Sequence, residues 1–153
     1  MKASYHIAVS AGVALGLQSQ VHSWPAAAVC FLSGVLIDID HYLDYYIVKK
    51  KFPFNYQELL DFCYYDKAPK IYLFFHGYEY LLALWLIVPF THFNSVYAGF
   101  VLGLTVHVFF DQFTNPIKPL FYFVTYRISQ SFMKVKTLSP EHFKRQKLTG
   151  KPI

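Results

Sequence analysis

Charge is scarce in this 153-residue chain: Asp, Glu, Lys and Arg make up 15% of it, against ~25% in soluble globular domains. So few charges do not cover an ordinary water-facing surface, and hydrophobic residues fill 55% of the positions, with mean hydropathy +0.29. Cysteine is nearly absent. Cys30 falls on an apolar segment and Cys63 in a basic loop, which supports neither a disulfide nor a Cys-x-x-Cys metal motif. There is no internal repeat or low-complexity tract, and the length predicts one domain rather than two cores. A cleavable leader is not expected either, because only Lys2 supplies a positive start, His6 interrupts the apolar stretch and no Ala-x-Ala site follows.

Aromatic residues, by contrast, reach 20%, a share suited to a thin helical bundle with rings at the lipid interfaces. Four apolar stretches, at about 5–20, 24–48, 71–90 and 96–113, are each near the ~20 residues needed to cross a bilayer core. Pro25 suits the first turn of the second, and Thr114-Asn115-Pro116 stops or kinks the fourth. Asn55 with Glu58 reads as a capping box for a short interfacial helix, with Tyr56, Leu59, Leu60 and Cys63 on one face. The expected fold is an all-α integral membrane four-helix bundle with short interfacial helices. Residues 1–133 form the transmembrane helical domain, and residues 134–153 a basic cytoplasmic tail.

The net charge of +5 is distributed in a telling way. Lys2 precedes the first helix, Lys49, Lys50, Lys51, Lys67 and Lys70 lie between the second and third, and the other basic residues follow the fourth. The loops around 18–23 and 91–95 have none. By the positive-inside rule both termini are cytoplasmic, in a multi-pass protein of the cell inner membrane. That pattern accounts for the positive charge without nucleic acid.

Ionisable groups within apolar helices cost about 2.5–3.5 kcal/mol each on insertion scales and tend to be functional. This chain has His6 on the first helix, Asp38, Asp40 and His41 on the second, His76 and Glu79 on the third, and His107 and Asp111 on the fourth. Counted at ~1.5 Å per residue from the outer loops, His6, Asp40, His76 and Asp111 all fall at a depth of about 22–24 Å. Four antiparallel helices thus bring these groups to one level, just inside the cytoplasmic interface. His107 and Asp111 are spaced i, i+4, and His76 and Glu79 i, i+3, so each pair offers nitrogen and oxygen to one point. Asp40 and His41 diverge by ~100° on a straight helix. Either part of the Asp38–His41 group supports other ligands, or the helix unwinds there. Simpler readings exist for each: an interfacial histidine for His6, a solvated helix end for Asp38–Asp44, and a metal-free hydrogen bond for His76 with Glu79. No role is assigned to His22, His92 or His142.

In order and spacing these residues resemble a family of small integral-membrane proteins described as membrane-bound metal-dependent hydrolases. The resemblance rests on His6, Asp38-Ile-Asp40-His41, His76, and Thr105-Val106-His107 with Asp111. It departs at the third helix, where Tyr72-Leu73-Phe74-Phe75 replaces a His-Arg-Gly element and Gly77 follows His76 instead of Ser. The resemblance implies a metal site.

The residues themselves lead to the same metal site, with one or two divalent metals, zinc first and manganese or iron next; with the resemblance, the expected activity is a hydrolase of an ester or phosphoester. His6, Asp40, His41, His76, His107 and Asp111 are the expected metal ligands, with Asp38 and His41 as alternative ligands or orienting groups. Glu79 is the expected general base, and Asp38 is placed with it among the catalytic residues. The depth favours a membrane lipid or lipid-linked substrate. The alternative is a proton or metal-ion transport protein using the same residues, although the outer halves of the helices are nearly free of polar groups.

Overall fold

The computed structural model describes residues 3–65, 70–115 and 117–141. Lys2, Lys67, Pro116 with its expected helix stop, and the tail from His142 onward lie outside the described residues. Among the described residues the chain is all-helical and has no strand, only isolated bridges such as Lys70 with Met133 and Ile117 with Leu138. The helices are α1 (Ala3–Val21), α2 (Trp24–Leu36), α3 (Ile39–Lys49), α4 (Tyr56–Tyr65), α5 (Tyr78–Ile87), α6 (Ser95–Thr114), α7 (Val124–Ser129) and α8 (Lys134–Thr137). A 3₁₀ turn, Val88–Thr91, continues α5. They divide into two compact units, one of Met1–Ile37 with Gly77–Asn115, the other of Asp38–His76 with Pro116–Ile153.

The first unit packs α1, α2, α5 and α6. Local signals start its helices: Ser23 accepts the amide of Ala26 at 3.3 Å ahead of α2, and Asn94 accepts the amides of Val96 and Tyr97 ahead of α6. The α2–α6 contact depends on small residues. A β-carbon on Gly103 would lie 2.1 Å from the Cys30 carbonyl oxygen, and one on Gly99 would lie 2.5 Å from that of Ala26. Gly99-x-x-x-Gly103 is the small-residue spacing that lets helix backbones approach without side chains between them. Ser33 uses the approach to donate to the Phe100 carbonyl at 2.9 Å. Trp85 Nε1 donates to Thr105 Oγ1 at 2.9 Å, and Tyr97 donates to the Leu84 carbonyl, which ties α5 to α6.

The second unit has its own small core, in which Tyr45 of α3 packs with Leu59 and Phe62 of α4. The apolar face expected to lie on headgroups is therefore partly occupied by α3. Two expected helices also differ from their sequence spans. The second is interrupted at Ile37–Asp38, where ψ relaxes to −28° and −8° and the His41 amide bonds back to the Asp38 carbonyl at 3.0 Å. The third begins at Tyr78 rather than at 71. Residues 72–76 do not form the helical ladder because side chains take their backbone groups. The amide of Tyr72 donates to Asp44, those of Phe75 and His76 donate to Asp40, and three carbonyls accept from Arg127. Leu73 consequently takes a left-handed φ of 44°.

Among the described residues two helical stretches are long and apolar enough to cross a membrane, Trp24–Lys49 and Ser95–Thr114; Tyr78–Thr91 is apolar but shorter.

Candidate metal centres

In the first unit the N-terminal end of α1 meets the C-terminal end of α6. His6 stands in the opening turns of α1, His107 and Asp111 in the closing turns of α6, and all three are buried. His6 Nε2 lies 3.2 Å from Asp111 Oδ1, and His107 Nε2 lies 3.5 Å from Asp111 Oδ2. The two imidazoles stack with centroids 4.0 Å apart. One ligand atom from each residue falls within 4.8 Å of the others.

The protons on His107 follow from its surroundings. Its Nδ1 lies 2.7 Å from the carbonyl oxygen of Gly34, which can only accept, so Nδ1 carries the proton. A neutral His107 then turns the Nε2 lone pair toward a carboxylate oxygen. Two acceptors 3.5 Å apart repel unless a proton or a metal cation lies with them. The close approach of α2 and α6 makes this contact possible, and Gly34 itself lies against Ser10 and the Gly103 carbonyl. A bulkier pair of helices would hold the carbonyl out of reach.

The second unit holds an analogous group built on different local structure. Asp38 lies at the break before α3, His41 in the first turn of α3, and His76 ends the irregular segment 72–76. His41 Nε2 lies 3.5 Å and His76 Nε2 3.9 Å from Asp38 Oδ1, and the three ligand atoms again fall within 4.8 Å of one another. Behind His76 sits Asp40, whose Oδ2 lies 3.0 Å from His76 Nδ1 and accepts the Phe75 amide at 2.7 Å. That carboxylate fixes the proton on Nδ1 and turns Nε2 toward Asp38, the carboxylate–histidine relay common behind metal-binding imidazoles. Asp40 is wholly buried, and its other oxygen has no hydrogen-bond partner. A cation held on the far side of His76 would offset this buried negative charge.

Arg127 holds the segment in place. It is wholly buried, and its guanidinium donates to the carbonyls of Tyr72, Leu73 and His76 at 2.5–2.7 Å while lying over the Phe121 ring. Cys63 Sγ comes within 3.5 Å of His41 Nδ1. Burial pushes this thiol up to about 12, so it meets the imidazole as a neutral group.

Of the residues expected from sequence, His6, His107 and Asp111 come together in the first unit, and Asp38, His41 and His76 in the second. Asp40, expected as a ligand, stands behind His76, while Asp38, expected to be catalytic or supporting, is among the facing donor atoms. Glu79 sits half-buried in the first turn of α5 and enters neither group. Asp44, included in the solvated-helix-end reading, is instead buried, and sequence reading missed the roles of Arg127 and the glycine contacts. Signals for them existed: an arginine directly after the aromatic run Phe121–Tyr126, and the Gly99-x-x-x-Gly103 spacing. Compared with models of known protein families, with curated proteins and with solved structures, the chain gives no match.

Proposed function

We propose that this chain is a multi-pass membrane hydrolase that uses divalent metal to cleave an ester or phosphoester of a lipid or lipid-linked small molecule. The observation that carries the reading is the orientation of two histidines. His107 and His76 are each held through Nδ1 by an acceptor, which turns Nε2 toward a carboxylate and a second imidazole. Two imidazoles and a carboxylate suit zinc, manganese or iron better than calcium or magnesium.

In this reading His6, His107 and Asp111 hold one ion, and Asp38, His41 and His76 hold another. A bound ion supplies Lewis acidity toward the substrate oxygen and lowers the pKa of water. Gly34 and Asp40 keep the imidazoles in their binding tautomers. Glu79, which stands outside both donor groups, would accept the proton of the attacking water. The membrane arrangement is a four-helix bundle in which α1, the α2–α3 stretch, α5 with its 3₁₀ turn, and α6 cross the bilayer, with both termini cytoplasmic. Support comes from the outward apolar side chains Leu15, Leu32, Leu36, Leu82, Leu86 and Phe113. The first unit's group lies at the ends of α1 and α6, a depth that a lipid headgroup reaches.

The test is hydrolysis of p-nitrophenyl phosphate, p-nitrophenyl butyrate and a labelled phospholipid by protein in lipid nanodiscs. Activity is expected to vanish with chelator, to return with zinc or manganese, and to be lost in Glu79→Gln with metal retained. Equal turnover by chelated and metal-loaded protein rejects the proposal.

A further inference from the structure

Between α3 and α4 the chain reads Lys49-Lys50-Lys51-Phe52-Pro53-Phe54. Phenylalanines in a connecting loop ordinarily turn into the core, yet Phe54 is 93% and Phe52 69% exposed. The small core of this unit, Tyr45, Leu59 and Phe62 with Val48 and Cys63 against it, includes neither ring.

The display is held in place. Lys50 closes α3 in a left-handed conformation, with its amide on the Tyr46 carbonyl at 2.8 Å. Tyr46 stacks on Phe52 with centroids 5.0 Å apart. Glu58 gathers the rest of the loop, accepting from the Tyr45 hydroxyl, from Lys51 Nζ at 3.0 Å and from the Phe54 amide at 2.6 Å. Asn55 in turn accepts the Glu58 amide at 2.9 Å. Pro53 restricts the backbone between the two rings. A loop held this firmly loses little entropy when its rings enter a new environment.

Two further observations identify that environment. Lys49, Lys50 and Lys51 are exposed beside the rings, three cations against the single Glu58 carboxylate that Lys51 meets, and the net positive charge complements an anionic surface. Lys49 also ends the apolar stretch Trp24–Lys49, which has 26 residues. Counted in residues, that stretch exceeds the ~20 that cross a hydrocarbon core. Its end therefore falls among headgroups.

We infer that Phe52 and Phe54, flanked by Lys49, Lys50 and Lys51, dock into the anionic headgroup layer of the membrane in which the chain sits. The inference rests on the proposed membrane insertion and is independent of metal binding and catalysis. Rings enter the headgroup–acyl boundary while the ammonium groups meet lipid phosphates, the division of labour seen in basic-aromatic membrane contacts.

The experiment places an NBD fluorophore on Phe54→Cys in the full chain, with labelled wild type as the blank for Cys30 and Cys63. The protein is reconstituted into vesicles of phosphatidylcholine alone and with phosphatidylglycerol added. A headgroup-level nitroxide lipid is expected to quench the label, about twofold more in the anionic vesicles, and Lys49→Gln with Lys50→Gln to remove that difference. Iodide quenching from water that is equal in both lipids, with no nitroxide quenching, overturns the inference. So does energy transfer between labels that grows with protein density, which assigns the rings to a second copy. A label at Phe100→Cys on α6 separates the two levels. If a deep nitroxide quenches it while position 54 stays in water, the loop proposal alone fails; if neither is quenched, the membrane reading fails with it.

Discussion

The two units each gather two histidines and an aspartate, but they do so by opposite means. In the first, regular helices supply all three side chains, and a glycine carbonyl from a third helix orients one imidazole. In the second, Asp38 and His76 sit where helices fail, at the break before α3 and on the segment 72–76, with His41 in the first turn of α3, and side-chain charges replace the backbone ladder of that segment. The first group is therefore as rigid as its helix packing. The second depends on a few buried ions, Asp40, Asp44 and Arg127, whose loss is not absorbed locally.

The largest expected effect comes from that dependence. Arg127→Met leaves three buried carbonyls without their charged donor and takes away one of the two cations, with Lys134, that act on the Asp44 carboxylate, a loss of about 3–5 kcal/mol. Thermal unfolding in detergent should report it, and metal bound through His41 and His76 should go while that on His107 stays. An unchanged melting temperature would mean the second unit does not depend on its ions. Gly103→Val attacks the other side of the comparison. Its added carbons collide with the Cys30 carbonyl, and overpacking costs about 1–3 kcal/mol. Metal affinity at His107 should fall and that at His76 should hold, as read by competition with a colorimetric chelator.

Asp40→Asn is a gentler change that keeps the shape but removes the charge behind His76. It should weaken metal at Asp38–His41–His76 by about 10–100-fold, without altering the first unit's affinity. The smallest effect is on acid stability. Glu58 is held at about 2, below its ordinary 4.5, first by the Tyr45 hydroxyl, then by the Phe54 amide and Lys51. A lowered carboxylate contributes stability that is full above about 4.5 and disappears as pH falls through about 2. The protection of the Phe54 amide relative to its intrinsic exchange rate should therefore fall over that interval, and Glu58→Gln should lack that protection throughout.

The difference between the units also explains what was legible in the sequence. His107 and Asp111 could be paired because α6 is an uninterrupted helix and i, i+4 spacing fixes a face. The apolar run that opens at Ile71 misled, because nothing local announces that Asp40, Asp44 and Arg127 will take the backbone bonds of residues 72–76. Those partners lie 28 to 55 residues away, and a helix forecast from neighbours cannot see them. The roles of Asp38 and Asp40 turn on the break at Ile37–Asp38, which sequence could state only as one of two options. Apolar length identified the stretches beginning at Trp24 and ending at Thr114, whereas the expected tail begins inside a folded turn, with Lys134 and Thr137 of α8 buried.

The most direct measurement is the metal content of the purified protein by elemental mass spectrometry, compared with His107→Ala/Asp111→Ala and His41→Ala/His76→Ala double variants that still insert. Two divalent ions per chain in the wild type, falling to one in each variant, is the predicted result. A wild type without stoichiometric metal, or variants that keep all of it, would contradict the assignment of these imidazoles and carboxylates as metal ligands.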